Sequence, residues 1–550
     1  MIPTINPVKP YKELPGRPSV KIVRSSKKIT ENYTDYLIDE SRFSVGHADE
    51  LVFANTEKQI VDTLIRAYTS DIPVTVSAGR TGIVGGAVPQ GGMVLILESM
   101  NSFLGADWDE NQKCWCIYTE PGLKITDLKD ILDKKNFEQT LTLLKGKSKK
   151  QLEQFSEESN HWFYPPDPTE QSAQLGGTVS LNSSGARSFK YGQTRSFVKG
   201  LRVALADGTL LDIKRGNTFS TPDKGFIVHR NDDKILVPVP TYQSADVKNA
   251  AGYFIQHPMD LIDFFIGSEG TLGVITHIKL ALVPKPEFIL CYIAFFKSEE
   301  DALNFVKSIR KRTKKKSDIV DPSALEYFDV YSLNLLRQKK ARESFGSCIP
   351  AFPDYANAAI YLEQEGKKED LETYCSEYVQ VLSECNAAGD DAWGAFKETE
   401  MEKMRQFRHA VPEEINAIIT ERQRSYPEIH KIGTDFSVPD DALEPMMHIY
   451  RSLLNKENLE YAIFGHIGDN HLHVNVLPRN EEEFKKAKSL YLEFAQKAVS
   501  FGGTVSGEHG IGKIKKELLP IMYSEKDIQQ MRQVKKALDP KNLLDPGILF

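Results

Sequence analysis

The chain has 550 residues and a formal net charge of −7, and its hydrophobic and charged shares of 41% and 26% are those of an ordinary globular protein. This length predicts two or more domains, and the mildly acidic balance gives no reason to expect a nucleic-acid partner. No run approaches the roughly 20 apolar residues of a transmembrane helix, and the first residues lack a secretory signal. We therefore expect a soluble cytoplasmic protein. Peripheral membrane contact is the alternative, because residues 145–150 and 310–316 are strongly basic.

Strand, helix and glycine-turn patterns alternate at the start of the chain. Residues 1–45 are rich in Pro, Lys and Tyr and are interpreted as an arm lying over a domain. The pattern then predicts a strand from Leu51, a helix that begins at Thr56 with Gln59 in the capping-box position, and two further strands. This alternation is typical of an α+β nucleotide-binding unit.

Later parts of the chain give weaker patterns. Strands are predicted at residues 176–182, 201–213 and 272–284, with a hairpin turn at Asp207-Gly208, whereas 145–161 is interpreted as an inserted loop. A second αβ domain is predicted to begin with a strand after Pro286. The predicted domain organisation is an arm at 1–45, a first domain at 46–285 with insertions at about 143–163 and 214–260, a second domain at 286–500, and a returning segment at 501–550.

Four glycine-rich segments share one physical character, because each brings bare backbone close to another group. They are residues 78–82 with 85–86, 176–177, 182–186 and 267–270. Glycine permits positive φ and exposes N–H groups that can hold a pyrophosphate. None of the four has the GxGxxG pattern with an acidic ribose partner, so the sequence disfavours a nicotinamide cofactor.

The densest chemistry lies late in the chain, where residues 465–475 (GHIGDNHLHVN) and 506–512 (SGEHGIG) hold four of the twelve histidines. His471 and His473 alternate with apolar residues, so on a strand both imidazoles face the same side. His466 precedes a Gly-Asp-Asn turn that can bring it back towards them. Imidazoles with a carboxylate suit Zn, Mn or Fe and leave positions open for a substrate.

Three long segments resemble the FAD domain of the vanillyl-alcohol oxidase type. They are residues 76–89 (VSAGRTGIVGGAVP), 164–201 (YPPDPTEQSAQLGGTVSLNSSGARSFKYGQTRSFVKGL) and 267–286 (GSEGTLGVITHIKLALVPKP). The chain is most similar to the D-lactate, glycolate and D-2-hydroxyglutarate dehydrogenase branch, over about residues 45–550 apart from the two insertions. The resemblance implies an α+β fold with a two-part FAD domain, an α/β substrate (cap) domain built on an antiparallel sheet, and a C-terminal segment that returns to the FAD domain.

The resemblance also implies non-covalent FAD, with the pyrophosphate on the backbone of Gly79–Gly82 and Asn542 reaching back to the isoalloxazine ring. Arg80 is a departure, because the family usually has glycine at this position. The cofactor-binding residues implied are Gly79, Arg80, Thr81, Gly82, Gly85, Asp167, Gly176, Gly177, Asn182, Ser184, Gly185, Tyr191, Gly192, Thr194, Glu269, Gly270, Val274, Ile275 and Asn542.

For the histidine segments, the resemblance implies that His466, His473 and Glu508 bind a divalent metal and that His509 is the general base. The family typically has Gly-Asn where this chain has Asn470-His471. His471 is therefore an alternative ligand, and the exact donor set stays open at this point.

A 2-hydroxy acid needs a cationic clamp for its carboxylate, and the planar fork of arginine suits that task. The resemblance selects Arg408, with Arg405 as the local rival. Lys431 is a weaker substrate candidate, because Gly433 occupies the position where the family often has lysine. Asn475 is expected to add a hydrogen bond.

Together these features predict oxidation of a D-2-hydroxy acid to the 2-oxo acid, with hydride transfer to flavin N5. The expected electron acceptor is a quinone, a cytochrome or an electron-transferring flavoprotein. The alternatives are an oxidase that uses O₂, a non-catalytic flavin- or metal-binding protein, and a zinc hydrolase, which leaves the glycine segments unexplained. The sequence does not select the acid, the metal or the oligomeric state, for which a homodimer is one option.

Overall fold

The computed structural model describes residues 2–41, 43–221, 225–230, 233–313, 319–342, 349, 351–387 and 392–550. Most of this part of the chain is arranged around three larger sheets of four, five and seven strands. Of the basic run at 310–316, residues 310–313 end a helix and the rest lie outside the described residues. No helix in the described ranges is long and apolar enough to cross a membrane.

The first sheet has four strands in the order β2-β3-β5-β4, with β3, β5 and β4 parallel and β2 antiparallel to β3. Its elements, with the preceding β1, are β1 (Thr4–Ile5), β2 (Lys21–Val23), α1 (Ser26–Asn32), β3 (Glu50–Phe53), α2 (Glu57–Thr69), β4 (Val74–Ser77) and β5 (Met93–Ile96). The predicted helix start at Thr56 is confirmed, since the Thr56 hydroxyl accepts from the N–H of Gln59. The Gln59 side chain accepts from the N–H of Asn55, one residue before the position that a capping box requires.

The second sheet is antiparallel, with five strands in the order β10-β9-β13-β7-β6. The elements in this stretch are β6 (Phe103–Asp109), β7 (Cys114–Thr119), α3 (Ile125–Lys134), α4 (Glu138–Leu143), α5 (Gly146–Glu158), β8 (Trp162–Phe163), α6 (Leu175–Leu181), α7 (Ser188–Tyr191), β9 (Val198–Ala204), β10 (Leu210–Lys214), β11 (Phe226–Arg230), β12 (Asp233–Val237), β13 (Val274–Ala281) and β14 (Val283–Pro284). The predicted hairpin at Asp207-Gly208 is confirmed, since β9 and β10 pair antiparallel and Gly208 has a φ of +83°.

Two expectations for this region are wrong. The predicted loop at 145–161 is largely the helix α5, because Leu152 and Phe155, three residues apart, bury one helical face beside Trp115. The predicted strand at 176–182 is the helix α6, in which Gly176 lies so close to Pro121 that a side chain would clash. Apolar runs this short do not distinguish strand from helix.

The second insertion and the N-terminal arm form one small sheet. Strands β11 and β12, from the stretch whose role the sequence left unreadable, pair antiparallel, and β1 of the arm pairs parallel with β11. The N–H of Val8 also donates to the carbonyl of Leu210 at 2.8 Å. The arm therefore lies along the first half of the chain, while the predicted domain limits at 45, 285 and 500 stay predictions.

The third sheet has seven strands in the order β18-β15-β17-β16-β20-β21-β19, all antiparallel. We call the part of the chain from β15 to α13 the cap domain. Its elements are β15 (Phe288–Phe296), α8 (Glu299–Thr313), β16 (Pro322–Asp329), α9 (Val330–Arg342), β17 (Ala358–Gly366), α10 (Leu371–Glu384), β18 (Trp393–Ala395), α11 (Glu398–Arg422), β19 (Ile432–Gly433), α12 (Leu443–Lys456), β20 (Tyr461–His466), β21 (His471–Val476) and α13 (Glu481–Ser500).

Both faces of the cap sheet are covered, because strands such as β15 carry apolar residues that point to either side. On β15, Tyr292 and Phe296 belong to the core under α8 and α10, whereas Ile293 and Phe295 belong to a separate core under α9 and α11. The antiparallel sheet and the mixed helix and sheet class expected from the sequence are confirmed. Two helices, α14 (Leu519–Met522) and α15 (Glu525–Leu538), follow, and α15 begins with a capping box formed by Ser524 and Asp527.

Phe407 on α11 lies in the middle of an aromatic cluster between the cap sheet and its outer helices. Its ring contacts those of Phe295, Phe328, Phe352 and Trp393. Replacing this wholly buried ring with alanine is expected to lower the free energy of unfolding of the cap domain by about 3–5 kcal/mol, because a cavity remains. The change is measured by urea unfolding, with tryptophan fluorescence as the signal.

The matched control is Phe396→Ala, since Phe396 is 53% exposed. That substitution is expected to change the free energy of unfolding by about 0.5 kcal/mol or less. A loss for Phe407→Ala no larger than that of the control would contradict the packing described here.

Candidate active site

A β-hairpin in the cap domain brings three histidines together. His466 ends β20, a short turn follows, and β21 starts at His471, which is paired in register with His466. Asn470 closes the turn with a φ of +51°, which asparagine tolerates. His473 lies two residues further along β21, so its imidazole is on the same side as that of His471, as the alternation predicted.

Glu508, from the segment after α13, meets these histidines. Its Oε1 atom lies 3.3 Å from Nε2 of His466 and 3.6 Å from Nε2 of His473. One donor atom each from His466, His471, His473 and Glu508 lies within 4.8 Å of the others. The predicted ligands therefore converge on one point, and His471 joins them. We call these four residues the histidine cluster.

Two further carboxylates lie behind the imidazoles. Oε1 of Glu326, on β16, is 2.6 Å from Nδ1 of His466, and Oδ1 of Asp435 is 2.8 Å from Nε2 of His471. A carboxylate in this position fixes the orientation and tautomer of a metal-binding histidine. Burial alone would lower the pKa of His466, but the charge of Glu326 outweighs it and raises this pKa to about 9. Burial lowers the pKa of His471 to about 3, which keeps that ring neutral.

Each of the three buried carboxylates also has a basic partner. The pairs are Glu326 with Arg408 at 3.1 Å, Glu508 with Lys248 at 2.9 Å, and Asp435 with Lys515 at 2.8 Å. Against the effect of burial, Arg408 lowers the pKa of Glu326 and Lys248 lowers that of Glu508. His509 and Lys515 lower the pKa of Asp435, so all three carboxylates stay ionised although Glu326 and Asp435 are buried and the Glu508 side chain is only 10% exposed. The site therefore holds acceptor oxygens that are charged and fixed in place.

The two oxygens of Glu508 have different surroundings. Oε1 faces the imidazoles, whereas Oε2 accepts from the Lys248 ammonium at 2.9 Å and from the Ser184 hydroxyl at 3.4 Å. Ser184 and Lys248 both come from the first half of the chain. Since Oε2 is occupied by these donors, Oε1 is the oxygen available to an ion between the histidines.

His509 lies directly beside the cluster. Its ring is stacked parallel to that of His473 with centroids 5.6 Å apart, and its Nδ1 is 3.4 Å from Oδ2 of Asp435. Burial lowers the pKa of His509 to about 4, against the opposing charge of Asp435. The imidazole is therefore neutral near pH 7 and able to accept a proton.

The structure separates the two candidate arginines. Arg408 donates through Nε to Glu326, and no other hydrogen bond of its guanidinium is found within the described residues. Arg405 instead donates to the surface carboxylates of Glu398 and Glu402. Arg408 thus has its terminal nitrogens available at the cluster, as its predicted role requires.

The two remaining substrate candidates lie near β19. Lys431 is half-buried one residue before that strand, and the structure adds nothing that tests its predicted role. Asn475 is buried on β21 opposite Gly433, where a side chain on Gly433 would come within 3.2 Å of Oδ1 of Asn475. Both assignments stay predictions.

The glycine-rich segments line one elongated cavity. Ten of the predicted cofactor-binding residues are on its wall: Gly79, Arg80, Thr81, Gly82, Gly176, Gly177, Glu269, Gly270, Val274 and Ile275. Arg80 has a φ of +58°, so its backbone adopts the conformation that favours glycine. Its side chain pairs with Glu98 at 2.6 Å and stacks on Tyr36, so its charge already has a partner in the protein.

The other predicted cofactor-binding residues lie outside this wall. They are Gly85, Asp167, Asn182, Ser184, Gly185, Tyr191, Gly192, Thr194 and Asn542. Several hold the local fold: Tyr191 donates to Glu365, Thr194 donates to the carbonyl of Ser183, and Gly185 leaves no room for a side chain against Asp167.

Asn542 lies in an exposed turn after α15 and outside the cavity wall, so its role stays a prediction. Asp545, three residues later, lines the cavity instead, since the tail pairs with β4 and Asp545 accepts from the N–H of Val76. Burial raises the pKa of Asp545 to about 7. The returning segment thus reaches the cavity through a carboxyl group rather than an amide.

The cavity and the histidine cluster adjoin each other. Ser183 lines the cavity, and its neighbour Ser184 contacts Glu508. Glu269, which also lines the cavity, accepts from the backbone N–H groups of Ile511 and Gly512 at 2.9 and 2.7 Å. These contacts join the segment that carries Glu508 and His509 to both sides of the glycine-lined cavity.

Sequence reasoning missed Glu326, Asp435, Lys248 and Lys515. Glu326 had only a partial signal, because it is one of two carboxylates, with Asp329, in a largely apolar strand. Asp435 lies four residues after Lys431, in a stretch (DFSVP) with no histidine or cysteine to mark it as part of a metal site. Lys248 and Lys515 lie in polar or basic stretches, where nothing in the sequence separates them from surface lysines.

Comparison with known domain families places these features in a class. The family described as FAD binding domain matches residues 48–149 and 138–214, and that described as FAD linked oxidases, C-terminal domain matches residues 285–549. The chain is therefore an FAD-linked oxidoreductase. It belongs to the FAD-linked oxidase family, as its resemblance implied.

Curated relatives lie in the branch that the sequence motifs indicated. The chain is 28% identical to "Glycolate oxidase subunit GlcD" of Bacillus subtilis (strain 168), over 87% of this chain and 84% of the relative. It is 28% identical to "D-lactate dehydrogenase" of Anaerostipes hadrus, over 96% of this chain and 94% of the relative. It is 26% identical to "D-2-hydroxyglutarate dehydrogenase" of Xanthomonas citri pv. viticola, over 89% of this chain and 87% of the relative.

Solved structures support the fold. One titled "alkyldihydroxyacetonephosphate synthase in P212121" superposes with a TM-score of 0.58 at 15% identity, covering 92% of this chain and 76% of that one. This likeness concerns the arrangement of the two domains, and it says nothing about the substrate.

The pair of Glu326 and His466 predicts a pH-dependent stability in chelator-treated protein. The pKa of His466 is raised above its value in the unfolded chain, so its contribution is complete below pH of about 6.5 and is lost as the pH rises towards about 9. The midpoint of thermal unfolding should therefore fall across this window, and His466→Gln should remove most of the slope. His448→Gln, at an exposed histidine on α12, is the control and should keep it. An unchanged slope in His466→Gln would contradict the prediction.

Proposed function

We propose that the protein oxidises a D-2-hydroxy acid to the 2-oxo acid, using non-covalent FAD and a divalent cation at the histidine cluster. The observation that carries this proposal is the junction at Ser183 and Ser184, where the glycine-lined cavity meets the cluster. The relatives named for glycolate, D-lactate and D-2-hydroxyglutarate support the substrate class.

The residues of the cluster fit a divalent cation. Imidazole nitrogens and one carboxylate oxygen are the donors that Zn²⁺, Mn²⁺ and Fe²⁺ accept in proteins. His466 and His473 contribute imidazoles, Glu508 contributes its Oε1, and Glu326 fixes the ring of His466 from behind. A cation held there would lower the pKa of the substrate hydroxyl, and FAD in the cavity would accept a hydride at N5.

The chain's own residues supply binding and proton transfer. The free end of Arg408 is placed to hold the substrate carboxylate in a planar two-bond contact, while its Nε stays on Glu326. His509 is neutral at pH 7 and beside the cluster, so it can take the hydroxyl proton. Asp435 accepts from the backbone N–H of His509 at 3.1 Å and so fixes the segment that carries this base.

Anaerobic mixing with a panel of D- and L-2-hydroxy acids tests the function itself. Bleaching of the flavin by a D-acid, and loss of that bleaching after chelation, is the expected result. The competing candidate is an oxidase, which would release hydrogen peroxide in step with substrate oxidation. If no 2-hydroxy acid bleaches the flavin, the proposed substrate class is wrong. A quinone, a cytochrome or an electron-transferring flavoprotein remains the predicted acceptor for a dehydrogenase.

His509→Ala is expected to slow flavin reduction by substrate by about 10²–10⁴-fold, because the general base is lost. The yellow cofactor should remain bound, since His509 is absent from the cavity wall. Stopped-flow absorbance in a single turnover measures the rate, and His448→Ala is the control. Normal reduction in His509→Ala would remove this residue from the mechanism.

Arg408→Lys keeps a positive charge but loses the planar fork, so kcat/KM for the acid should fall by about 10- to 100-fold. Arg405→Lys, on the same helix but bonded to surface carboxylates, is the matched control and should leave kcat/KM within about twofold of wild type. Equal effects of the two substitutions would exclude Arg408 as the specific clamp. Steady-state kinetics over a range of substrate concentrations gives both values.

A further inference from the structure

Of the two ring nitrogens of His471, one has a hydrogen-bond partner within the described residues and the other has none. The side chain has no exposed surface, and its Nε2 is bonded to Asp435 at 2.8 Å. Its Nδ1 is buried and has no hydrogen-bond partner within the described residues. A buried nitrogen without a partner is costly, so each such atom in a native site needs a physical explanation.

The ring of His471 is held in place from several sides. It lies at the start of β21, with its centroid 4.6 Å from that of His473 and 5.4 Å from that of His466. Gly507 makes room for it, because a side chain there would come within 2.8 Å of Nε2 of His471. The position is therefore specified by the fold rather than left to a mobile side chain.

We propose that His471 is a fourth protein ligand of the cation, bound through Nδ1. This inference rests on the proposed function, because it assumes that the cluster holds a metal. One donor of His471 already lies within 4.8 Å of those of His466, His473 and Glu508. Asp435 stands behind His471 as Glu326 stands behind His466, the arrangement that orients metal-binding imidazoles.

A fourth protein ligand changes which ion suits the reaction. Four-coordinate zinc with four protein ligands is closed, as in structural sites, and offers no position to a substrate. A 2-hydroxy acid that binds through its carboxylate and its hydroxyl adds two oxygens, which makes six ligands in total. We therefore expect the catalytic ion to be one that accepts six ligands, Mn²⁺ or Fe²⁺, rather than Zn²⁺.

The experiment counts imidazole ligands on the metal in the FAD-containing holoenzyme loaded with Mn²⁺. X-ray absorption at the manganese edge should report three imidazoles in wild type and two in His471→Phe, which keeps the ring volume without its nitrogens. Affinity for Mn²⁺, measured by competition with a chelator, should fall at least about tenfold in His471→Phe, since even partners behind a ligand contribute that much.

His277→Phe is the matched control. His277 is also bonded to a buried carboxylate, Glu57 at 3.1 Å, but it is not part of the histidine cluster. Its substitution should leave the imidazole count and the Mn²⁺ affinity unchanged.

If the wild-type protein binds manganese through only two imidazoles, His471 is not a ligand, and the proposed function is unaffected. A wild-type protein that binds no divalent metal would overturn both. The wild-type count decides the question even if His471→Phe does not fold.

Discussion

Glu508 is a nearly buried carboxylate whose two oxygens are contacted by side chains from both halves of the chain. His466 and His473 approach its Oε1 from the cap domain, and Lys248 and Ser184 approach its Oε2 from the first half of the chain. Removing an ionised carboxylate from water costs several kcal/mol unless charged and polar partners replace the water. The surroundings of Glu508 are therefore complete only when the two halves of the protein are docked, and the same docking creates the junction between cavity and cluster.

The rest of the site extends this pairing outwards. Glu326 connects His466 to Arg408, so the residue that orients a metal ligand also anchors the proposed substrate clamp. Asp435 does the same on the other side, between His471 and Lys515, and it also accepts from the backbone N–H of His509. A change at either carboxylate would disturb an imidazole and a second functional group together. Groups bonded in this way do not act additively.

Local patterns in the sequence predicted those features that depend on neighbouring residues. Because His471 and His473 alternate with apolar residues, the sequence predicted that both imidazoles lie on the same side of a strand. Thr56 in the same way predicted where α2 begins. Short apolar runs were ambiguous, which is why α6 was expected to be a strand. Glu326 and Lys248 became visible only in the structure, because β16 and the second insertion reach the cluster through tertiary packing.

The C-terminal tail shows a different limit. Asn542 and Asp545 lie three residues apart in the same turn-rich segment, and nothing local decides which one faces the cavity. The structure decides it through the pairing of Leu544 with Val74, which turns the Asp545 side chain inwards and leaves Asn542 exposed. The sequence therefore predicted that the C-terminal segment returns to the first domain, but not that Asp545 is the residue that lines the cavity.

The balance of charge at the cluster bears on what it can bind. The carboxylates of Glu326, Glu508 and Asp435 are matched one for one by Arg408, Lys248 and Lys515, so these six side chains together carry no net charge. A divalent cation would displace the proton from His466 and leave a net positive charge in a buried region. An anionic ligand that supplies two oxygens would offset that charge, whereas a neutral alcohol would not. This electrostatic requirement, together with the free end of Arg408, is what favours a hydroxy acid over other alcohols as the substrate.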